Sequence, residues 1–418
     1  MKNRKLVEAA WKAYRKRDYP TAESQLRRSI ELDERDGIAH NNLANLLRVA
    51  GRFHEATEHY RLALEQHPDS AEIRNNLAGA LEASGKYDLA EAEYRAAVRL
   101  SPEFAVARFN LGLLLLAAGN YTEGWSYYEA RTSVFREFGS PSFPKWTGED
   151  LRGKSILLLT EQGYGDTIQF LRYVALLRQR GAAFVTVACQ PALAPVARTT
   201  GNIDEVITDP HALRVHDYWT PLLSLPYRFA TTVDSIPAKV PYLGVFGNRL
   251  DAWRPRLPVD VLRVGLVWKG NPLHDNDLHR SVGHFADLLP LWSVPGIGFV
   301  SLQVDQAEAE TEGREKLQPI LRLGREIRDF GDTAAIVAQL NLVICVDTAV
   351  AHLAGALGIA CWLMLPARGV DWRWHRYGNT SPWYPEGMYL FRQDSRGWAG
   401  VIDDVRNALA DVVSQRHA

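Results

Sequence analysis

The chain of 418 residues is poor in sulfur, with three cysteines and three methionines. Cys189, Cys345 and Cys361 each sit singly inside an apolar run, and no CxxC pair occurs. That spacing argues against a disulfide framework and against a zinc finger or ribbon, and it fits a reducing cytosol. Charge of one sign is lacking too. The 48 Lys and Arg stand against 49 Asp and Glu, a formal net charge of −1, so no global field draws the chain to nucleic acid, an anionic membrane or a polyanion. The longest apolar run, from Leu342 to Pro366, carries Asp347 and His352 in its middle and reads as strand, loop, helix and strand rather than a membrane span. The first residues, MKNRKLVEAAWKAYRKRDY, never reach the apolar length of a signal peptide and read as a basic amphipathic helix. The expectation is a cytoplasmic chain with no transmembrane segment. With 46% hydrophobic residues over this length, two or three domains with sizeable cores are predicted.

What is present first is a repeat. Leu43, Ala44, Leu47, Gly51, Phe53, Ala56, Tyr60, Ala63 and Pro68 recur 34 residues later as Leu77, Ala78, Leu81, Gly85, Tyr87, Ala90, Tyr94, Ala97 and Pro102. This is similar to the tetratricopeptide pattern, in which small residues let two antiparallel helices approach and a proline stops the second. A degenerate earlier copy spans roughly Leu6 to Glu34, and a fourth begins at Ala105 and diverges at Gly124 and Trp125. A helical solenoid over residues 1–136 is expected, with atypical end repeats as caps. Asn42, Asn76 and Asn110 hold the same place in three repeats. Their amides could line one inner groove and clasp an extended protein or peptide, although Asn also serves a structural purpose at this position.

Periodicity then stops. Residues 137–153, with SPSFPKWTGEDLRG, read as a linker rich in Pro, Gly and aromatics. Short apolar strands alternating with helices follow, and they predict an α/β half over 154–247 and another over 262–395, with parallel sheets and a cleft between. Strands are expected at SILLLT, FVTVAC, DEVIT and DYWTPLL, then at VGLVW, IGFVSL, LVICV and CWLML. Helices are expected over Asp166–Arg180 and Ala349–Leu357, a hinge at FGNRLDAWRPRLP, and a final helix within 396–418. The fold class is thus α followed by α/β.

Five stretches invite chemistry. GEDLRGKS, Gly148 to Ser155, has Walker A spacing, but it follows a Pro-rich stretch and opens a strand, whereas a phosphate loop must follow a strand and open a helix. EQGYGDT has the right context. Gly163 and Gly165 permit tight backbone beside a ligand, Glu161 and Gln162 precede them, and Asp166 with Thr167 can either cap the helix or face the crevice where open α/β sheets bind ligands. In VDTAVAHLAGALG, Asp347 and Thr348 stand at a helix start whose amides at Thr348, Ala349 and Val350 could hold a pyrophosphate, with His352 as a further donor. In WKGNPLHDNDLHRS, the cluster His274, Asp275, Asp277 and His279 lacks the spacing of a strong metal site, and no metal is expected; Lys269 and Arg280 are better placed to neutralise phosphates. Finally, Trp372, Trp374, Trp383 and Tyr384 surround Asp371 and Arg373, an arrangement for stacking on a sugar or base or for packing the last helix.

EQGYGDTIQFLRY, GLVWKGNP with the following HRS, and VDTAVAHLAGALG resemble bacterial heptosyltransferase-type glycosyltransferases with the GT-B fold, in the subgroup fused to tetratricopeptide repeats. The resemblance covers about Trp146 to Gln393. The repeats also resemble, more weakly, those of protein O-linked N-acetylglucosamine transferases. The resemblance implies a GT-B pair of Rossmann-like domains, acceptor side first and nucleotide-sugar side second, and inverting transfer of a sugar from a nucleotide diphosphate sugar with no other cofactor. Asp166 takes the place of the family's general base. Asp347, Thr348, Val350 and His352 match its diphosphate-binding segment, with Ala349 where glycine is usual. Lys269 and Arg280, near Asn271, are alternative candidates for its phosphate-binding cation. The acceptor could be a protein held by the repeats. The alternatives are a binding scaffold with a degenerate transferase domain, which Ala349 favours, and a heptosyltransferase acting on lipopolysaccharide.

Overall fold

The computed structural model describes residues 2–135, 141–274 and 276–417. The chain divides into two compact units, 1–136 and 137–418.

The first unit is helical throughout: α1 (Lys2–Arg15), α2 (Tyr19–Leu32), α3 (Gly37–Val49), α4 (Phe53–Gln66), α5 (Ala71–Ala83), α6 (Tyr87–Leu100), α7 (Ala105–Ala117), α8 (Tyr121–Tyr128) and a single turn, α9 (Arg131–Val134). Four helix starts, those of α2, α3, α5 and α8, are capped by a side chain, Asn120 capping the last. Asp36 accepts from the amides of Ile38 and Ala39, Asp18 from Thr21, and Ser70 from Ile73, so orphan donors of the first turn are satisfied. The turns after α3, α5 and α7 are set by glycine: Gly51, Gly85 and Gly119 lie at φ +75 to +81°, a conformation costly for most other residues, and Arg17 holds the matching place after α1 at φ 59°. Ala44, Ala56, Ala78 and Ala90 are wholly buried where paired helices touch, and Tyr60 and Tyr94 fill the space between. Their hydroxyls stay bonded, Tyr60 to Asn45 at 2.7 Å and Tyr94 to Glu82 at 3.0 Å. The expected solenoid is present.

The second unit begins with β1 (Ser155–Leu159), α10 (Tyr164–Phe170), α11 (Val174–Gln179), β2 (Phe184–Ala188), α12 (Ala194–Ala197), β3 (Glu205–Ile207), β4 (Tyr218–Pro221) and α13 (Leu225–Arg228). It continues with α14 (Gly247–Trp253), β5 (Leu262–Val267), α15 (Asp277–Arg280), β6 (Ile297–Ser301), β7 (Leu321–Arg322), α16 (Phe330–Val337), β8 (Leu342–Val346), α17 (Ala349–Leu357), β9 (Cys361–Leu365), β10 (Met388–Arg392) and α18 (Gly397–His417). Two all-parallel sheets result, ordered β3-β2-β1-β4 and β10-β9-β8-β5-β6-β7. Every residue of β8 is buried, as expected of a strand covered on both faces. In each sheet the strand order reverses once, between β1 and β4 in the first and between β5 and β8 in the second. Crevices for ligands open at the carboxyl ends of strands at such reversals. The loops EQGYGDT, WKGNPLHDNDLHRS and VDTAV all leave strands at those two places.

Three local readings need correction. The stretch read as a linker is folded from Pro144 onward: Trp146 is wholly buried and its amide donates to the Trp219 carbonyl of β4 at 2.7 Å, while the Trp219 amide donates to the Pro144 carbonyl at 3.0 Å. Residues 137–140 lie outside the described residues. The helix expected over Asp166–Arg180 is broken at Leu171–Tyr173 by a 3-10 turn, because the Arg172 side chain turns inward and takes the Gln169 carbonyl at 2.9 Å. The stretch read as a hinge contains α14, anchored by ion pairs from Arg249 to Asp329 and Asp332 of the α16 region and by buried Trp253. β7 and β10 were not anticipated. The Walker-like GEDLRGKS opens β1, with Lys154 paired to Asp217 at 3.1 Å.

Candidate functional site

The first element of the site is the turn after β1. Gln162 takes a positive φ of 61°, and Gly163 is the residue at the start of α10. Asp166 lies one turn in and reaches back: its Oδ2 accepts from the Gly163 amide at 2.8 Å. Its Oδ1 accepts from Arg373, which comes from the other half. Burial pushes the Asp166 carboxyl upward, the Arg373 charge opposes that shift, and the Asp371 charge adds to it. Glu161 and Thr167 are buried, the Thr167 hydroxyl without a hydrogen-bond partner. Gly165 lies against α17, where an added Cβ would meet His352 at 2.7 Å, so the starts of the two helices are in contact across the unit.

The second element follows β8. Asp347 stands at the strand end and Thr348 at the helix start, with Thr348 making no side-chain cap; its hydroxyl is buried and unpartnered. Asp347 is pushed up to about 7, first by burial, then by the neighbouring Asp371 charge, while the Trp374 indole, Arg280 and Arg373 pull the other way. The Trp374 N–H faces this carboxylate without completing a hydrogen bond of ordinary geometry. Ala349 and Val350 are partly exposed in the first turn, and His352 is buried one turn deeper.

His352 is held from several sides. Its ring stacks on Trp374 with centroids 5.1 Å apart, and its Nδ1 lies 3.0 Å from the Tyr384 hydroxyl. Burial, with Arg373 and Arg172 nearby, drives its proton affinity well below the usual range, so the ring is neutral. Arg172 donates to the Trp383 carbonyl at 2.6 Å and to the Tyr242 hydroxyl at 3.1 Å, which lies 3.4 Å from that of Tyr384. Polar contacts thus run from Arg172 through Tyr242 and Tyr384 to Nδ1 of His352, and at the last two either partner can be the donor. Nε2 lies on the side that faces Gly165.

The third element is the loop after β5. Lys269 pairs with Glu310, which also accepts from the Phe285 amide. Arg280 pairs with Asp277 at 3.2 Å, lies against Gly270 and is felt electrostatically at Asp347; Lys269 is not among the principal influences there. Of the two cations left open by the sequence, Arg280 is the one whose charge lowers the Asp347 carboxyl. Asn271 is exposed and caps its own turn, accepting from the Leu273 amide at 3.0 Å. Of the four residues with metal-like chemistry in this loop, Asp275 lies outside the described residues, Asp277 is bound to Arg280 and Ser281, and His274 accepts from the Asn276 amide. Among the described residues no three His, Cys, Asp or Glu converge as a metal site.

The sequence leaves Arg373 and the aromatics between stacking on a sugar or base and packing the last helix, and gives no role to Arg172, Gln169 or Tyr242. Trp374 and Tyr384 pack on His352, and Trp383 packs on Arg172. The only available signal was the density of Trp, Tyr and Arg in DWRWHRYGNTSPWYP.

In the first unit, Asn76 joins a polar chain in which Asn110 donates to Asn75 at 2.9 Å and Asn75 donates to Asn76 at 3.4 Å. Asn75 and Asn76 line a surface hollow with Ser101 and Phe104. Asn42 is half-buried on α3.

The two units are thus a repeat solenoid and an α/β unit in which the start of α10, with Asp166, packs against the start of α17. Residues 7–71, 43–103 and 75–131 match the tetratricopeptide repeat model, so the first unit is built of tetratricopeptide repeats. Protein FlbA of Caulobacter vibrioides (strain ATCC 19089 / CIP 103742 / CB 15) is 30% identical over 294 residues, which cover 64% of this chain and 48% of FlbA. The chain spans about half the length of that curated relative. A glycosyl transferase family 9 structure from Veillonella parvula DSM 2008 aligns with a TM-score of 0.45 and 13% identity, over 59% of this chain and 88% of its own. MamA protein aligns at 0.30 and 20%, over 32% and 73%, and YrrB, a TPR protein with an unusual peptide-binding site, at 0.28 and 23%, over 31% and 66%. Among the described residues no helix is long and apolar enough to cross a membrane.

Proposed function

We propose that the second unit transfers a sugar, with inversion, from a nucleotide diphosphate sugar to an acceptor hydroxyl, and that the repeats hold a protein acceptor. The observation that carries the reading is the juxtaposition of Asp166, at the strand reversal of one sheet, with the start of α17 and Arg280, at the strand reversal of the other. One side supplies a base, the other neutralises a leaving diphosphate, and these are the two demands of inverting transfer.

The acceptor O–H bond breaks and its proton passes to the Asp166 carboxylate; the acceptor oxygen bonds to C1 of the sugar; the C1–O bond to the diphosphate breaks, and its electron pair leaves with the nucleotide. The α17 amides, Arg280 and the neutral His352 ring stabilise that charge as it develops. A raised Asp166 makes a better base than an exposed aspartate, and the proton moves late, as the attacking hydroxyl acidifies at an oxocarbenium-like centre.

The test is a panel of ADP-, UDP-, GDP-, CMP- and TDP-sugars, scored for binding, slow donor hydrolysis and transfer, with Asp166→Asn beside the wild type. The expected result is one preferred donor and a loss of transfer of about 10²–10⁴-fold in the variant with donor binding retained. Normal transfer by a folded Asp166→Asn protein overturns the base assignment, and binding of no nucleotide sugar overturns the reading as a transferase.

A further inference from the structure

The base of this reading is not completed by its own half. Asp166 has one hydrogen bond on each oxygen, the Gly163 amide on Oδ2 and the Arg373 guanidinium on Oδ1. Arg373 belongs to the segment after β9, in the half that carries Asp347 and α17. Its own half fixes it: Asp371 accepts from its backbone amide at 2.9 Å and grips Nη1 with both carboxylate oxygens at 3.0 Å. The guanidinium also lies over the Trp372 ring at 4.5 Å and the Phe170 ring at 5.5 Å, and its Nε donates to Gln169, one turn after Asp166 on α10. The arginine side chain is only 5% exposed. A cation this buried and bonded on every edge has one available geometry.

We propose, resting on the transferase reading above, that Arg373 is a positioning residue through which the donor-side half aims the Asp166 carboxylate and keeps it ionised. The base is then complete only when the two halves are docked as they are here. Two features favour this over a purely structural ion pair. The Gly163 amide already joins Asp166 to the start of α10, so the helix start is completed without Arg373. Arg373 is also felt at Asp347, so one guanidinium spans the base and the start of the diphosphate-binding helix.

The groups facing Asp166 define what a titration would read. The 371–374 turn contributes Arg373 and Asp371; α17 contributes the neutral His352, against Gly165; the start of α16 contributes Phe330, packed on Tyr164, and no charge at that contact; its own loop contributes the Gly163 amide. Removing the Arg373 charge leaves burial and Asp371, both of which favour the protonated acid.

The experiment is the pH profile of kcat for sugar transfer by the full chain as wild type, Arg373→Met and Arg373→Lys. The expected result for Arg373→Met is an acid limb moved upward by about one to three pH units, since an opposite charge at this range shifts a carboxyl by that much, with activity partly recovered at high pH or by added methylguanidine. Arg373→Lys should sit between the two. An unmoved acid limb in Arg373→Met overturns the proposal while leaving the transferase reading intact, whereas normal transfer by Asp166→Asn removes that reading itself. Thermal unfolding of Asp166→Asn, Arg373→Met and the double variant supplies a readout free of turnover and of the acceptor's identity. Non-additive Tm shifts that fade as pH falls through the Asp166 titration support the proposal, and additive shifts overturn it.

Discussion

The Tyr384 hydroxyl lies 3.0 Å from Nδ1 of His352, in a run of polar side chains that reaches the buried Arg172 through Tyr242. With Tyr384 as the donor here, the proton of the neutral ring sits on Nε2, the nitrogen on the side of the first half. Tyr384→Phe keeps the ring that stacks near His352 and removes only the oxygen. We expect about 1–3 kcal/mol of lost stability from the orphaned nitrogen, together with a several-fold weaker hold on nucleoside diphosphate. Imidazole ¹⁵N shifts check the tautomer directly; an unchanged Nε2–H population in the variant would show that Tyr384 does not set it.

Arg280 and Lys269 should separate cleanly. Arg280→Ala is expected to weaken binding of the preferred nucleoside diphosphate at least tenfold by calorimetry, because it removes the cation felt at Asp347. Lys269→Ala should weaken it far less and act mainly on stability, by freeing Glu310. A reversed order would return the phosphate contact to Lys269.

Asp347 gives stability a pH dependence of defined sign. Its carboxyl is pushed from 3.8 up to about 7 in the folded chain, so the folded state holds a proton that the unfolded state gives up near pH 4. The contribution is fully present below about pH 4 and is lost as pH rises toward 7, amounting to a few kcal/mol at most. Asp347→Asn should remove most of that slope in Tm between pH 4.5 and 8. A slope as steep as that of the wild type would assign it to other groups.

In the repeats, Gly85 lies at φ +75° with open space around its Cα, so only the backbone conformation resists substitution. Gly85→Ala should cost about 1 kcal/mol, and Gly85→Val more, read from the urea midpoint of helix loss at 222 nm. Ala78→Leu, by contrast, forces a side chain into a wholly buried helix contact and should cost about 1–3 kcal/mol with no backbone strain.

Much of the fold could be read before any coordinate. The 34-residue recurrence of Gly51 in Gly85, the run LVICV and the helix start at Thr348 each encode a local rule, and each element lies where that rule put it. The lapses share one cause. Trp146, Arg172 and Trp253 look like linker, helix surface and hinge when read in place, but all three are buried by partners distant in sequence. β7, two residues long, carries no pattern to detect.

The sequence by itself determined the repeat unit, the alternation of strand and helix, and the candidates Asp166, Asp347, Thr348 and His352, because caps, turns and periodicity are short-range properties. Folding in three dimensions adds that the Arg280 charge bears on Asp347, that Arg373 crosses 207 positions to Asp166, and that polar contacts link Arg172 to His352. Those are electrostatic relationships between buried groups, and their strength depends on burial and separation in space, which spacing along a chain does not encode.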